Sequence, residues 1–132
     1  TQAAYTIARA CFDTIIADGA DACIAVNSKI VTPALERVVE ANTLLSGLGF
    51  ESSGLAAAHA IHNGLTILPA THDFLHGEKV TIGVLAQLVL EGRPRQFFHD
   101  IIRFLRTVGL PTRLSDIGVD VHDRAQVCKA RA

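Results

Sequence analysis

Apolar residues in this chain return at steps of three and four, and few stretches alternate apolar with polar as a half-buried strand would. Tyr5, Ile7, Ala8, Cys11, Phe12, Ile15 and Ile16 mark a first helix over residues 1–18, with Gly19 as its stop. Thr32-Pro33 is a strong helix start, because threonine caps free N–H groups and proline fits the first turn. Leu35, Val38, Val39, Asn42 and Leu45 then form one face, with Glu36, Arg37 and Glu40 between them, up to Gly47 or Gly49. Residues 52–63 read as a buried Ala-rich helix stopped by Asn63-Gly64. After a loop with Pro69, a helix from Glu78 to about Leu90 turns Val80, Val84, Leu85, Leu88 and Val89 inward. Pro94 opens another, with Phe97, Phe98, Ile101, Ile102 and Leu105 on its apolar face, and Gly109-Leu110-Pro111 breaks it. Asp116, Gly118 and Asp120 are turn residues, and a last helical segment starts at about His122. The expected architecture is an all-α helical bundle forming a single domain over residues 1–132.

Composition excludes several functions. Twelve Lys and Arg against 13 Asp and Glu give a net charge of -1, so nothing favours a phosphate backbone and no nucleic-acid partner is expected. The chain is 49% hydrophobic, yet charges interrupt every apolar run well short of the roughly 20 residues that span a bilayer. The surplus apolar surface is expected to be covered by a partner domain or subunit. Absence of Met and the opening Thr1-Gln2-Ala3-Ala4 fit an excised or processed piece of a longer protein. Cys11, Cys23 and Cys128 form no CxxC pair and read as inert residues of a reducing compartment, the cytoplasm.

Chemistry concentrates in the histidines. His59 and His62 are three apart on one helix, and His76 stands 17 residues after His59, across a loop long enough to fold back. His76 also sits at a helix start, whose positive end disfavours an imidazolium and keeps the ring able to bind a cation. A zinc-like ion takes neutral nitrogens at about 2.0–2.1 Å, and a catalytic site normally needs three protein groups. Two imidazoles are too few. Glu51, Asp73 and Glu78 are nearby acids, although Glu78 reads equally well as a first-turn residue offsetting the helix dipole.

The run from Leu44 through Gly54 to Gly64, containing Gly47-Leu48-Gly49-Phe50-Glu51-Ser52-Ser53 and Ala56-Ala57-Ala58-His59-Ala60-Ile61-His62-Asn63, resembles glycerol dehydrogenases. So do Val31-Thr32-Pro33-Ala34-Leu35-Glu36-Arg37, His76-Gly77-Glu78-Lys79-Val80 and Gln87-Leu88-Val89-Leu90-Glu91. These enzymes belong to the iron-containing, or group III, metal-dependent alcohol dehydrogenase family. The likeness covers nearly the whole chain and thins after about Leu114.

The resemblance implies a two-domain enzyme whose N-terminal domain binds NAD and whose C-terminal helical domain, to which this chain corresponds, supplies metal ligands. No cofactor-binding residue for NAD falls within the chain. It implies His59 and His76 as ligands of zinc, with iron as the alternative, and an aspartate upstream of Thr1 as the third ligand. His59 and His76 thereby also contact the substrate, and Phe50 lines its pocket. His62 matches the second histidine of the family's helix and falls beside the cleft rather than on the metal, with a helix-capping residue or one that supports a metal ligand as the alternative. The implied reaction is oxidation of glycerol or a related small polyol to the ketone, dihydroxyacetone for glycerol, with hydride transfer to NAD; the surplus apolar surface adds the expectation of a homo-oligomer. Ser53 departs from the family's pattern by replacing a second glycine, at a cost of about 1 kcal/mol if that position has a positive φ. Gly47-Leu48-Gly49 is no dinucleotide loop, because Ser52 holds the third glycine's place and no strand precedes it. The rival expectations are a non-catalytic helical scaffold of such an enzyme and a metal carrier that takes up zinc tightly alone.

Overall fold

The computed structural model of the chain describes residues 1–53, 56–120 and 122. Among them every regular element is a helix or helical turn, and no strand forms. The all-α expectation holds. Contacts divide the chain into two compact units, Thr1–Leu55 and Ala56–Ala132.

In the first unit, α1 (Gln2–Asn27) packs against α2 (Pro33–Glu40), a π-helical turn (Ala41–Leu45) and α3 (Ser46–Ser53). Thr32 caps α2 as expected, its hydroxyl accepting from the Leu35 N–H at 3.3 Å, with Pro33 in the first turn. The stop expected at Gly19 does not occur. Gly19 is buried within α1 beside Ala22, and Ala25 continues that small-residue stripe, so these residues serve close packing rather than termination. The real terminator is Lys29, which takes φ 56 while the Ile30 N–H bonds the Ala25 carbonyl. A lysine there pays the left-handed penalty that glycine avoids, which hides the end from sequence.

Gly47 and Gly49 do not close the second helix either, because the chain passes through the π turn straight into α3. Gly49 is buried, and a methyl group there would meet Ala8 and Ile7 at 3.8 Å. Ser53 ends α3 in helical conformation, so the strain conditional on a positive φ does not arise. Cys11 is half-buried and donates its thiol to the Ala41 carbonyl at 3.5 Å, and burial pushes its pKa up, in keeping with an inert thiol. Cys128 lies outside the described residues.

Arg37 on α2 grips Asp18 on α1 in a fork, Nη2 to Oδ1 at 2.6 Å and Nε to Oδ2 at 2.8 Å. The hydrogen-bonded guanidinium holds the Asp18 carboxyl below its ordinary 3.8. A carboxylate lowered in the fold contributes stability above its unfolded value, and that contribution disappears as pH falls through the folded value. Asp18→Asn should therefore flatten the loss of thermal stability below about pH 4 relative to the parent, measured by circular dichroism melts. Equal acid limbs in the two proteins would discount the pair.

The second unit holds α4 (Ala57–Leu65), a 3₁₀ turn (Pro69–Thr71), α5 (His76–Leu90), α6 (Arg95–Thr107) and a second 3₁₀ turn (Leu114–Ile117). Leu65, Leu68, Ile82, Ile117 and Val119 form its core, with Ile61, Phe74 and Leu114 against them. The Ala-rich helix is shorter and later than the expected span 52–63, and it runs through Asn63-Gly64 to Leu65. α5 starts at His76, two residues before the expected Glu78, whose carboxylate accepts from the Leu75 N–H at 2.7 Å. Its buried face is Lys79, Thr81, Ile82, Gly83 and Leu85, whereas Val84 and Val89, expected inward, are exposed. α5 is apolar on most sides, so periodicity could not select the face. α6 follows Pro94 and ends before Gly109 (φ 77), with Ile101 and Leu105 inward as expected. Gly118 takes φ 76, as a turn glycine does. His122 lies in a turn, and the helical segment expected beyond it falls outside the described residues.

Candidate metal centre

The loop between α4 and α5 folds back on itself, and this brings the histidines together. Thr71 is fully buried and donates its hydroxyl to the Leu65 carbonyl at 2.7 Å, with the Leu68 carbonyl at 3.0 Å. Lys79, also buried, donates Nζ to the Thr71 carbonyl at 3.2 Å. This ammonium on α5 therefore ties the helix to the loop before it. At the other end of the pair, the Ala58 N–H on α4 donates to Gln87 Oε1 on α5 at 3.0 Å. Between these ties, Gly83 lets the backbones approach so closely that an added methyl group would overlap the Ala58 carbonyl oxygen.

The result is a cluster of three imidazoles. The His59 and His76 ring centres stand 5.6 Å apart, His62 and His76 4.3 Å, and His59 and His62 6.4 Å. Two imidazoles that share a tetrahedral ion through one nitrogen each place their centres about 5 Å apart, so the spacing of His59 and His76 fits a shared cation. His62 stands differently. It is buried, at 9% exposure, and its Nε2 lies 3.0 Å from His76 Nδ1, a hydrogen-bond distance below the roughly 3.4 Å between two nitrogens on one tetrahedral ion. Its Nδ1 lies 3.1 Å from Asn63 Oδ1.

Electrostatics favour a neutral His76. Desolvation first, then the facing His62 and His59 and the nearby Lys79, hold its pKa below the usual 6.5. The ring thus offers a lone pair at neutral pH. Among the described residues no group of three or more His, Cys, Asp or Glu side chains is arranged to hold an ion. Glu78 is engaged as a cap, and Glu51 belongs to the other unit. Phe50 lies on α3 of the first unit, 51% exposed. Sequence reasoning missed Asn63, read only as a helix stop, and Lys79 and Gln87, which hold α5 in place. Lys79 stands three residues after His76, one helical turn along, and that spacing was its only signal.

No protein-family model matches the chain. A glycerol dehydrogenase of Thermotoga maritima is 59% identical over 120 residues, covering 91% of this chain and 33% of that protein. A glycolaldehyde reductase of Halobacterium salinarum is 52% identical over 119 residues, covering 90% of this chain and again 33% of the relative. The crystal structure of a probable glycerol dehydrogenase from Sinorhizobium meliloti 1021 superposes with a TM-score of 0.93 at 49% identity, over 98% of this chain and 37% of that one. The chain thus spans about a third of the length of the relatives it matches. Over that third it has the sequence and the helical C-terminal fold of those enzymes, and it belongs to the glycerol dehydrogenase family.

Proposed function

We propose that this chain is the metal- and substrate-binding part of an NAD-dependent oxidoreductase that oxidises glycerol, or a related small polyol, to the ketone. The observation that carries the reading is the approach of His59 and His76 from two different helices at a spacing that suits one shared divalent ion. Imidazole nitrogens suit zinc, with iron as the alternative, and an aspartate preceding Thr1 completes the ligand set. A bound cation there supplies Lewis acidity that makes an alcohol hydroxyl easier to ionise. His59 and His76 hold and orient. Neither takes up the hydroxyl proton while its coordinating nitrogen is occupied. An N-terminal domain outside this chain would hold NAD, which would supply the acceptor for the hydride of the carbinol carbon while the hydroxyl proton is released to solvent.

The exposed Leu75, Val89 and Leu90 of the second unit fit burial against that domain or against another subunit of a homo-oligomer. No helix among the described residues is long and apolar enough to cross a membrane, and the cytoplasm is the proposed compartment. Glycerol and glycolaldehyde name the relatives' substrates, and both are small hydroxyl-bearing carbon chains.

The test is metal removal. The complete enzyme carrying this chain should form NADH from glycerol, lose that activity on dialysis against a chelator, and regain it on addition of zinc or ferrous ion. Turnover that survives removal of all bound metal would reject the reading. A polypeptide of these 132 residues alone, with two ligands and no nucleotide domain, should neither oxidise glycerol nor retain zinc tightly.

A further inference from the structure

His62 is a buried imidazole whose two ring nitrogens are both engaged, and its partners differ in what they can offer. Asn63 Oδ1, at 3.1 Å from His62 Nδ1, is a carbonyl oxygen and can only accept. His62 Nδ1 must therefore carry its proton. In the neutral ring that leaves His62 Nε2 as a bare acceptor, facing His76 Nδ1 at 3.0 Å. An acceptor there requires a donor opposite, so His76 Nδ1 carries a proton and His76 Nε2 is left with the lone pair. Neutral histidine in water favours the opposite form, protonated on Nε2, which would block that nitrogen.

We propose that Asn63 and His62 form a hydrogen-bonded relay that holds His76 in its Nδ1-protonated tautomer and so reserves Nε2 for a divalent cation. The inference rests on the metal-binding reading given above and deepens it. His62 and Asn63 are positioning residues: they act on the cation through His76 and do not bind it. The arrangement also explains why a third imidazole sits in the cluster without adding a ligand, since its Nε2 is spent on His76. Outer hydrogen bonds of this kind set the tautomer and orientation of a ligand histidine, and their loss typically weakens metal affinity by about 10–100-fold.

The test uses the complete enzyme, stripped of metal, with zinc affinity read by competition against a chromophoric chelator. Nitrogen-15 spectra of histidine-labelled protein at neutral pH report the tautomer. In the parent, His76 should appear protonated on Nδ1. His62→Phe keeps an aromatic ring but removes the acceptor, so His76 should shift toward the Nε2-protonated form and zinc affinity should fall by about 10–100-fold. His62→Gln places an amide oxygen near the former Nε2 and should recover most of that loss. Asn63→Leu changes an exposed residue and keeps the fold, and it should give an intermediate loss by freeing His62 to exchange tautomers.

The relay is overturned if parent His76 is protonated on Nε2, if His62→Gln binds zinc as poorly as His62→Phe, or if Asn63→Leu binds like the parent. Should His62→Phe fail to fold, the parent tautomer and the other two variants decide the matter. The two readings fail separately. Zinc retained after His59→Ala removes the metal centre itself, whereas zinc lost there but kept in all relay variants removes only the relay.

Discussion

Replacing Gly83 by alanine lowers the stability of the second unit by about 2–3 kcal/mol and its melting temperature by on the order of 10 °C. Helix propensity alone predicts the opposite sign, since alanine inside a helix is favoured over glycine by about 1 kcal/mol. The close approach decides. A methyl group at Gly83 would overlap the Ala58 carbonyl oxygen and come within 2.9 Å of the Ala58 carbonyl carbon and Cα. These are backbone atoms of α4, so no rotamer change relieves the clash and the whole helix must move. That movement would also break the Ala58 N–H to Gln87 hydrogen bond and carry His59 and His62 away from His76. Zinc affinity should fall along with stability.

Gly77 provides the control within the same helix, because nothing lies within 4 Å of a methyl group added there. Gly77→Ala should be neutral or stabilising by about 0.4–1 kcal/mol. Thermal melts of the two variants side by side test the argument. A Gly83→Ala protein as stable as the parent would show that the two helices need not touch at this point.

The same glycine marks the boundary of what the sequence discloses. Local signals with a local cause were legible: Thr32-Pro33 starts a helix, Pro94 precedes another, and Gly109 ends one with φ 77. Glycines whose cause is a neighbouring element were not. Gly19 and Gly49 read as terminators, yet both are buried inside helices, and the true end of α1 falls on Lys29. α5 lost its inward face to the same difficulty, because the exposed Val84 and Val89 are apolar like the buried Ile82 and Leu85, while Lys79 and Thr81 are buried. The candidate site divides along the same line. The three-residue spacing put His59 and His62 on one helix, but the return of His76 depends on a loop held by the buried Thr71 and Lys79, whose hydrogen bonds no local pattern announces. The different fates of His62 and His59 turn on single interatomic distances, which spacing along the chain does not encode.

His59→Ala and His76→Ala should each abolish tight metal binding and glycerol oxidation together, with a loss of at least about a thousandfold in kcat/KM. That figure follows from Lewis-acid stabilisation worth several kcal/mol, at about 1.4 kcal/mol for each factor of ten. Folding should survive. His59 is only half-buried and His76 is exposed, so truncation opens little cavity, and the core of Leu65, Leu68, Ile82, Ile117 and Val119 contains neither residue. The double variant should be scarcely worse than either single one, because a cation that has lost one of two imidazoles is already lost. This non-additivity separates a shared ion from two independent contacts to substrate, whose losses would multiply. The check is metal content of the purified proteins, circular dichroism and steady-state kinetics on the same preparations. If either single variant retains both its metal and its turnover, or if the two losses multiply in the double variant, then these two rings do not grip one cation.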